Sequence, residues 1–277
     1  RKMTPDGTVS LFAGQPYDYG YKDGAASEAR FQNAFSVVVD SQDNVLVSDW
    51  YSVRKITPAG VVSTLAVLFP AGLGNNKDQE YPLYERPPSM VIDSKDNVYL
   101  SIIEGIKKVT SSGQISDFVL PVSTIEGKSP ASGYLKFLSS IGSISIDKQD
   151  NLYVNDRGNH VYIRVAPDKT LKLLSSNTGD SFESMAIDGS GNIYANTRYE
   201  ILKQVSNNNL TNVVGSGQPG LSIDGARSVA RLQIVGKMQF SASGELWFID
   251  GNSIRKMAND GTVTTVAGKN IYFDSLR

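Results

Sequence analysis

Val37 to Asp49 reads VVVDSQDNVLVSD: three apolar residues, an Asp, a short polar turn, an Asn, then an apolar run alternating into a second Asp. Alternation of this kind marks a half-buried strand, and the Asp-x-x-Asp-Asn cluster marks a tight turn held by Asx hydrogen bonds with Gly or Asn at positive φ. The same template returns as MVIDSKDNVYLSI (Met90 to Ile102), ISIDKQDNLYVND (Ile144 to Asp156) and MAIDGSGNIYANT (Met185 to Thr197). A fifth copy, MQFSASGELWFID (Met238 to Asp250), carries Ser241 and Glu245 in place of Asp and Asn. The register residues Asp40, Asp93, Asp147, Asp188 and Ser241 are 53, 54, 41 and 53 residues apart.

Each template is followed by a second pair of alternating runs. VRKITPAGVVSTLA (Val53 to Ala66), IKKVTSSGQISDFV (Ile106 to Val119) and IRKMANDGTVTTVAG (Ile254 to Gly268) show it clearly, Tyr162 to Leu174 and Leu202 to Val214 more loosely. One repeat is therefore a four-stranded antiparallel meander, a–b–c–d, which cannot bury both faces alone. Sheets stacked radially hide those faces and leave short edges, so an all-β fold of propeller type is expected.

The Asp-x-x-Gly-Asn template, the Arg-Lys pair that follows it and the Asp-Gly-x-Val-x-Thr-x-Ala-Gly ending resemble the NHL-repeat family of β-propellers. Two spacers fit that family's long inter-blade loop: Asp23-Gly24 with Ala29-Arg30-Phe31, and Asp224-Gly225 with Ala230-Arg231-Leu232. Arg1 to Val9 matches Arg255 to Val263, and Asn270 to Asp274 resembles the strand b of Asn192 to Asn196. The expectation is a single domain over residues 1–277 with six NHL-like four-stranded blades. The sixth is irregular and shared between residues 1–14 and 269–277, which removes an open edge.

Composition narrows the function. Lys plus Arg is 27 against 28 for Asp plus Glu, a net charge of −1, so no broad basic field exists to attract nucleic acid. The basic positions of strand c (Arg54, Lys55, Lys107, Lys108, Arg164, Lys203, Arg255, Lys256) read as a dispersed ring rather than a patch. The absence of Cys excludes disulfides and thiolate chemistry. The single histidine, His160, excludes any site needing two His ligands from this chain and leaves one imidazole for a triad. The longest apolar stretch, Val61 to Leu68, is far too short for a transmembrane segment. The chain opens at Arg1-Lys2-Met3 in mid-pattern and without an apolar signal core, from which we expect an exported protein of the cell surface or periplasm whose leader has been removed.

Strand direction alternates, so b–c turns and d–a loops share one face, and that face holds the elaboration: residues 15–33, 71–88, 123–140 and 216–235. Its side chains include Tyr17, Tyr19, Tyr21, Trp50, Tyr51, Tyr84, Arg86, Arg157, His160, Arg198 and Tyr199. Rigid amphipathic rings beside guanidinium groups suit a protein, peptide or glycan partner, and the leading expectation is a non-catalytic binding or scaffold propeller with no cofactor. His160 stands in Asp156-Arg157-Gly158-Asn159-His160, which resembles the family's common b–c loop, where His often stands, so a structural or incidental His is expected here rather than a catalytic base. The resemblance also implies an alternative. Related lactonase-like propellers hold a divalent cation with carboxylate and amide oxygens, which would make this chain a hydrolase or lyase with Ca²⁺ bound by Glu183, Asn196, Asp49, Asp156 and Asp250. Strand-end Asp residues also cap the following loop through backbone hydrogen bonds, and that reading competes with the metal site.

Overall fold

The computed structural model describes residues 1–4, 6–50, 52–68, 89–102, 105–118, 125–126, 141–156, 161–176, 182–206 and 209–268. The chain divides into two compact units, Arg1–Pro121 with Phe137–Ile141 and Val122–Lys136 with Gly142–Arg277.

In the first unit β1 (Lys2–Met3) and β2 (Val9–Ser10) form a two-stranded sheet. Blade 1 is the meander β4 (Ala34–Val39), β5 (Val45–Asp49), β6 (Ser52–Ile56) and β7 (Val61–Val67), whose outer edge is extended by β3 (Gly24–Ala25). Blade 2 is β8 (Met90–Ile92), β9 (Val98–Ile102), β10 (Gly105–Val109) and β11 (Ile115–Asp117).

The second unit holds three blades. Blade 3 comprises β13 (Ile141–Ile146, but for its first residue), β14 (Leu152–Asp156), β15 (Val161–Val165) and β16 (Leu171–Ser176), with β12 (Ile125–Glu126) added in parallel to β16. Blade 4 is β17 (Met185–Ile187), β18 (Ile193–Asn196), β19 (Glu200–Ser206) and β20 (Asn209–Gly215). Blade 5 is β21 (Val235–Phe240), β22 (Leu246–Asp250), β23 (Ser253–Met257) and β24 (Val263–Gly268).

The fold is an all-β propeller, and it has five blades among the described residues, which corrects the expected six. The physical reason lies in the N-terminal hairpin. Its turn is well made, with the Thr4 amide bonded to the Thr8 carbonyl at 2.9 Å. Turn chemistry specifies a hairpin, however, and not the two inner strands that would make it a blade. β1 and β2 have two residues each and, among the described residues, pair with one another alone. Residues 269–277, the other expected part of that blade, lie outside the described residues.

The a–b turns follow the repeat. Asp40 Oδ1 accepts from the amides of Gln42 (2.9 Å) and Asn44 (2.8 Å), while Asn44 Nδ2 donates back to Oδ2 at 2.8 Å. Asp93, Asp147 and Asp188 repeat the pattern, and Ser241 Oγ takes the Glu245 amide at 3.1 Å. The left-handed residue is not the Asn but the one before it: Asp43, Asp96 and Asp150 at φ 60–61°, Gly191 and Gly244 at 82° and 88°.

Within each unit, neighbouring blades adhere through apolar faces and hydrogen bonds from their inner strands. Leu46, Val53 and Ala66 of blade 1 pack with Met90, Val98 and Leu100 of blade 2, and Ala186, Ile201 and Val214 of blade 4 with Met238 and Phe248 of blade 5. Ser36 Oγ accepts the Met90 amide and Ser184 Oγ the Met238 amide, both at 3.3 Å. Blade 1 departs from this on one side. Val37 pairs with Val47 as Met238 pairs with Phe248, yet Met238 is 4% exposed and Val37 56%. Phe12 and Ala13 pack against Val47, Ile56 and Val62 on blade 1, but Val37 and Val39 of its inner strand stay exposed.

Candidate functional site

Residues 15–33 precede blade 1 and are tied to it by one buried guanidinium. Arg54, 1% exposed on β6, donates from Nη1 to the Arg30 carbonyl (2.9 Å) and Asp49 Oδ2 (3.1 Å), and from Nη2 to the Lys22 carbonyl (3.0 Å) and Asp23 Oδ1 (2.6 Å). Asp23 Oδ2 takes the Thr64 amide of β7 at 2.9 Å, and Asp49 Oδ1 takes the Asn33 amide at 2.6 Å. Burial works to raise the Asp23 carboxyl, but the Thr64 amide and the Arg54 guanidinium outweigh it and hold the group below its ordinary value. A buried cation with two carboxylates and two carbonyls is adequately compensated, so the loop base is fixed.

The same anchor recurs 201 residues later. Arg255 donates to the Arg231 and Ile223 carbonyls (2.7 Å each), to Asp250 Oδ2 (2.7 Å) and to Asp224 Oδ1 (2.8 Å), and Asp224 Oδ2 takes the Thr265 amide at 2.8 Å. Asp250 Oδ1 caps the amides of Gln233 (2.7 Å) and Ile234 (2.8 Å). Sequence reasoning missed this role for Arg54 and Arg255. The available signal was that both stand at the same spacing from the Asp-Gly of the two spacers.

These contacts define what the candidate metal ligands do. The carboxylates of Asp49 and Asp250, each fully buried, are engaged by backbone amides and an arginine. Asn196 Oδ1 accepts the Ser184 amide at 2.8 Å and its Nδ2 donates to the Val235 carbonyl at 2.7 Å, linking blades 4 and 5. Asp156 is fully buried at the end of β14, and Glu183 is exposed ahead of β17. Among the described residues no three His, Cys, Asp or Glu side chains cluster closely enough to hold a metal ion.

The aromatic candidates are displayed on the anchored scaffold. Gln15 to Asp18 form a tight turn (Asp18 amide to Gln15 carbonyl, 3.4 Å) with Tyr17 at φ 62°, a left-handed conformation rare for a large side chain. Tyr17, Tyr19 and Tyr21 are 93%, 69% and 54% exposed. Arg30 Nε holds Asp18 Oδ2 at 2.5 Å beneath them. Trp50, in the b–c turn of blade 1, donates its amide to the Asn33 carbonyl at 3.3 Å, which joins that turn to the end of the loop. Its ring stacks on Phe35 with centroids 5.9 Å apart and planes 24° apart. Phe35 was not singled out in the sequence, because it falls before the repeat template. In the second unit the Arg198 guanidinium lies over the Tyr199 ring, 5.8 Å from its centroid, and the Arg198 carbonyl accepts the Val235 amide at 2.9 Å. Tyr51, Tyr84, Arg86, Arg157 and His160 lie outside the described residues.

No protein-family model matches the sequence, and no curated protein does. Solved structures do match. One is a structural genomics protein of unknown function from Bacteroides thetaiotaomicron, 20% identical over 94% of this chain and 64% of its own, with a TM-score of 0.69. Another, described as an auxiliary nutrient binding protein of the same organism, is 16% identical over 92% of this chain and 63% of its own, with a TM-score of 0.65. A gluconolactonase from Xanthomonas campestris is 12% identical over 81% and 72%, with a TM-score of 0.55. The chain thus spans less than two thirds of the length of the first two. At these identities the likeness is one of fold, and the fold shared is the β-propeller.

Proposed function

We propose that this protein is a non-catalytic binding propeller that holds its ligand against Tyr17, Tyr19, Tyr21 and Trp50. One observation carries the reading: the molecule contains the same anchored loop twice, and only one copy is aromatic. Residues 15–33 and 216–234 share their length, their arginine clamp and their bonds to the outer strand of the blade. Where the first has Tyr17, Tyr19, Tyr21 and Trp50, the second has Gln218, Gly220, Ser222 and Gly251. The scaffold forms without the rings, so three tyrosines kept largely in water, beside a half-buried Trp50, are accounted for by contact with a ligand. The partner class is a protein, peptide or glycan, and the setting is an exported protein of the cell envelope. The neighbour described as an auxiliary nutrient binding protein supports both.

The test replaces the aromatics by their counterparts: Tyr17→Gln, Tyr19→Gly, Tyr21→Ser and Trp50→Gly together. Wild-type and variant protein, matched in melting temperature, are used as bait in envelope extract, with captured protein read by mass spectrometry and captured glycan by sugar composition. Material held by the wild type and lost by the folded variant is the expected result. Equal capture by both would reject the site.

A further inference from the structure

We infer that the ligand of this face is an uncharged oligosaccharide, an assignment that rests on the binding reading above and goes beyond it. The first argument is charge. Among the described residues, the ionic groups from Asp18 to Asp23 each have an ionic partner: Asp18 with Arg30 (2.5 Å), Lys22 with Glu28 (3.9 Å) and Asp23 with Arg54 (2.6 Å). The exposed pairs contribute little to stability, and because Asp49 shares Arg54 with Asp23 they leave no positive field for an anion. Among the described residues of this loop, a phosphorylated, sulfated or strongly acidic ligand would find no unpaired cation to recognise it.

The second argument is the grain of the surface. A protein interface centres on a continuous apolar floor that excludes water, with its polar groups at the rim. The tip from Gln15 to Lys22 has no aliphatic Val, Leu, Ile or Met. Its apolar surface comes from ring faces and Pro16, and these alternate with Gln15, Asp18 and Lys22, all exposed. Each tyrosine also carries its own hydroxyl. Apolar plates separated by hydrogen-bonding groups match a pyranose, which offers C–H groups on its faces and hydroxyls around its edge.

The third argument is preorganisation. A flexible polar ligand binds weakly unless the protein supplies a fixed surface. Here the loop base is clamped by Arg54, Tyr17 is set in a tight turn, and the Trp50 ring is stacked on Phe35.

The experiment uses the whole chain and five neutral probes: cellohexaose, xylohexaose, laminarihexaose, mannohexaose and maltohexaose, with polygalacturonate as charged control. Binding is followed by calorimetry and by tryptophan and tyrosine fluorescence. At least one neutral hexaose is expected to bind with a Kd of roughly micromolar to millimolar order. Raising NaCl from about 0.05 to about 0.5 M should change that Kd less than about twofold, since no charge pairing is formed. Tyr17→Gln with Tyr19→Gly, or Trp50→Gly alone, should weaken it at least about tenfold at unchanged melting temperature. Binding of polygalacturonate alone, abolished by salt, would overturn the assignment to neutral sugars. If no hexaose binds while the extract experiment yields a protein lost in the loop variant, the saccharide assignment falls and the binding site stands. If neither sugar nor extract component depends on the loop, both fall.

Discussion

Trp50 holds φ at 50°, in the left-handed region, where the equivalent residue of blade 5 is Gly251 at 58°. A residue with a Cβ is strained there by about 1 kcal/mol relative to glycine. Trp50 also gains from its stack on Phe35, typically about 0.5–1.5 kcal/mol. Comparing two truncations separates these effects, because both remove the ring and only one removes the strain. Trp50→Gly should be more stable than Trp50→Ala by about 1 kcal/mol, read from urea midpoints at constant slope. Equal stability would mean that the turn relaxes and that the strain is not real. At this scale the site was half legible. The aromatic residues stand out in the sequence because they interrupt a repeat. The strand-end Asp residues stand out too, and their position favours a loop cap over a metal ligand without showing which groups they cap. It takes groups brought in from other elements, the Asn33, Gln233 and Ile234 amides, the Ser222 hydroxyl and the Arg54 and Arg255 guanidinium groups, to show what occupies the oxygens of Asp49 and Asp250.

Strands were legible because alternation and turn residues are local. Asp40, Asp93, Asp147 and Asp188 each close an a–b turn within five residues, and the pairing Val37 to Val47 or Met238 to Phe248 follows from that turn. What covers a strand is not local. Met238 and Val37 occupy the same register and both are apolar, yet one faces the Ala186 and Ile201 side of its neighbouring blade and the other faces water. Ile201 and Ile254 differ in the same way, at 0% and 38% exposed. Mutation should read that difference directly. Met238→Ala removes buried methylenes from a packed cluster and should cost about 2–4 kcal/mol. Val37→Ala, at the matching position of blade 1, should cost about 0.5 kcal/mol or less. A large loss at Val37 would show that a neighbour covers that strand in solution.

The blade count belongs to the whole molecule, and there the repeat misled. Arg1 to Val9 copies Arg255 to Val263 nearly residue for residue, but in blade 5 that hairpin is paired by β22, whereas among the described residues β1 and β2 pair with each other alone. A copied hairpin carries no information about its inner strands. A property spread over the blades is the response to pH. Burial tends to raise the carboxyls of Asp23, Asp40, Asp188 and Asp224, but the amides, Asn side chains and cations they bind prevail and hold all four below their ordinary values. A carboxyl with a lowered folded-state pKa binds protons more readily when unfolded. Its contribution is therefore complete above about pH 4 and is lost as pH falls through the lowered values. The alkaline side depends on Tyr153, which burial and the adjacent Asp147 carboxylate push up to about 12 from 10.0. A raised folded-state pKa reverses the sign. This contribution is complete below about pH 10 and is lost as pH rises toward about 12. The urea midpoint should thus be level from about pH 5 to 9, decline below about pH 4 and decline again above about pH 10. Tyr153→Phe should flatten the alkaline decline and leave the acid one in place.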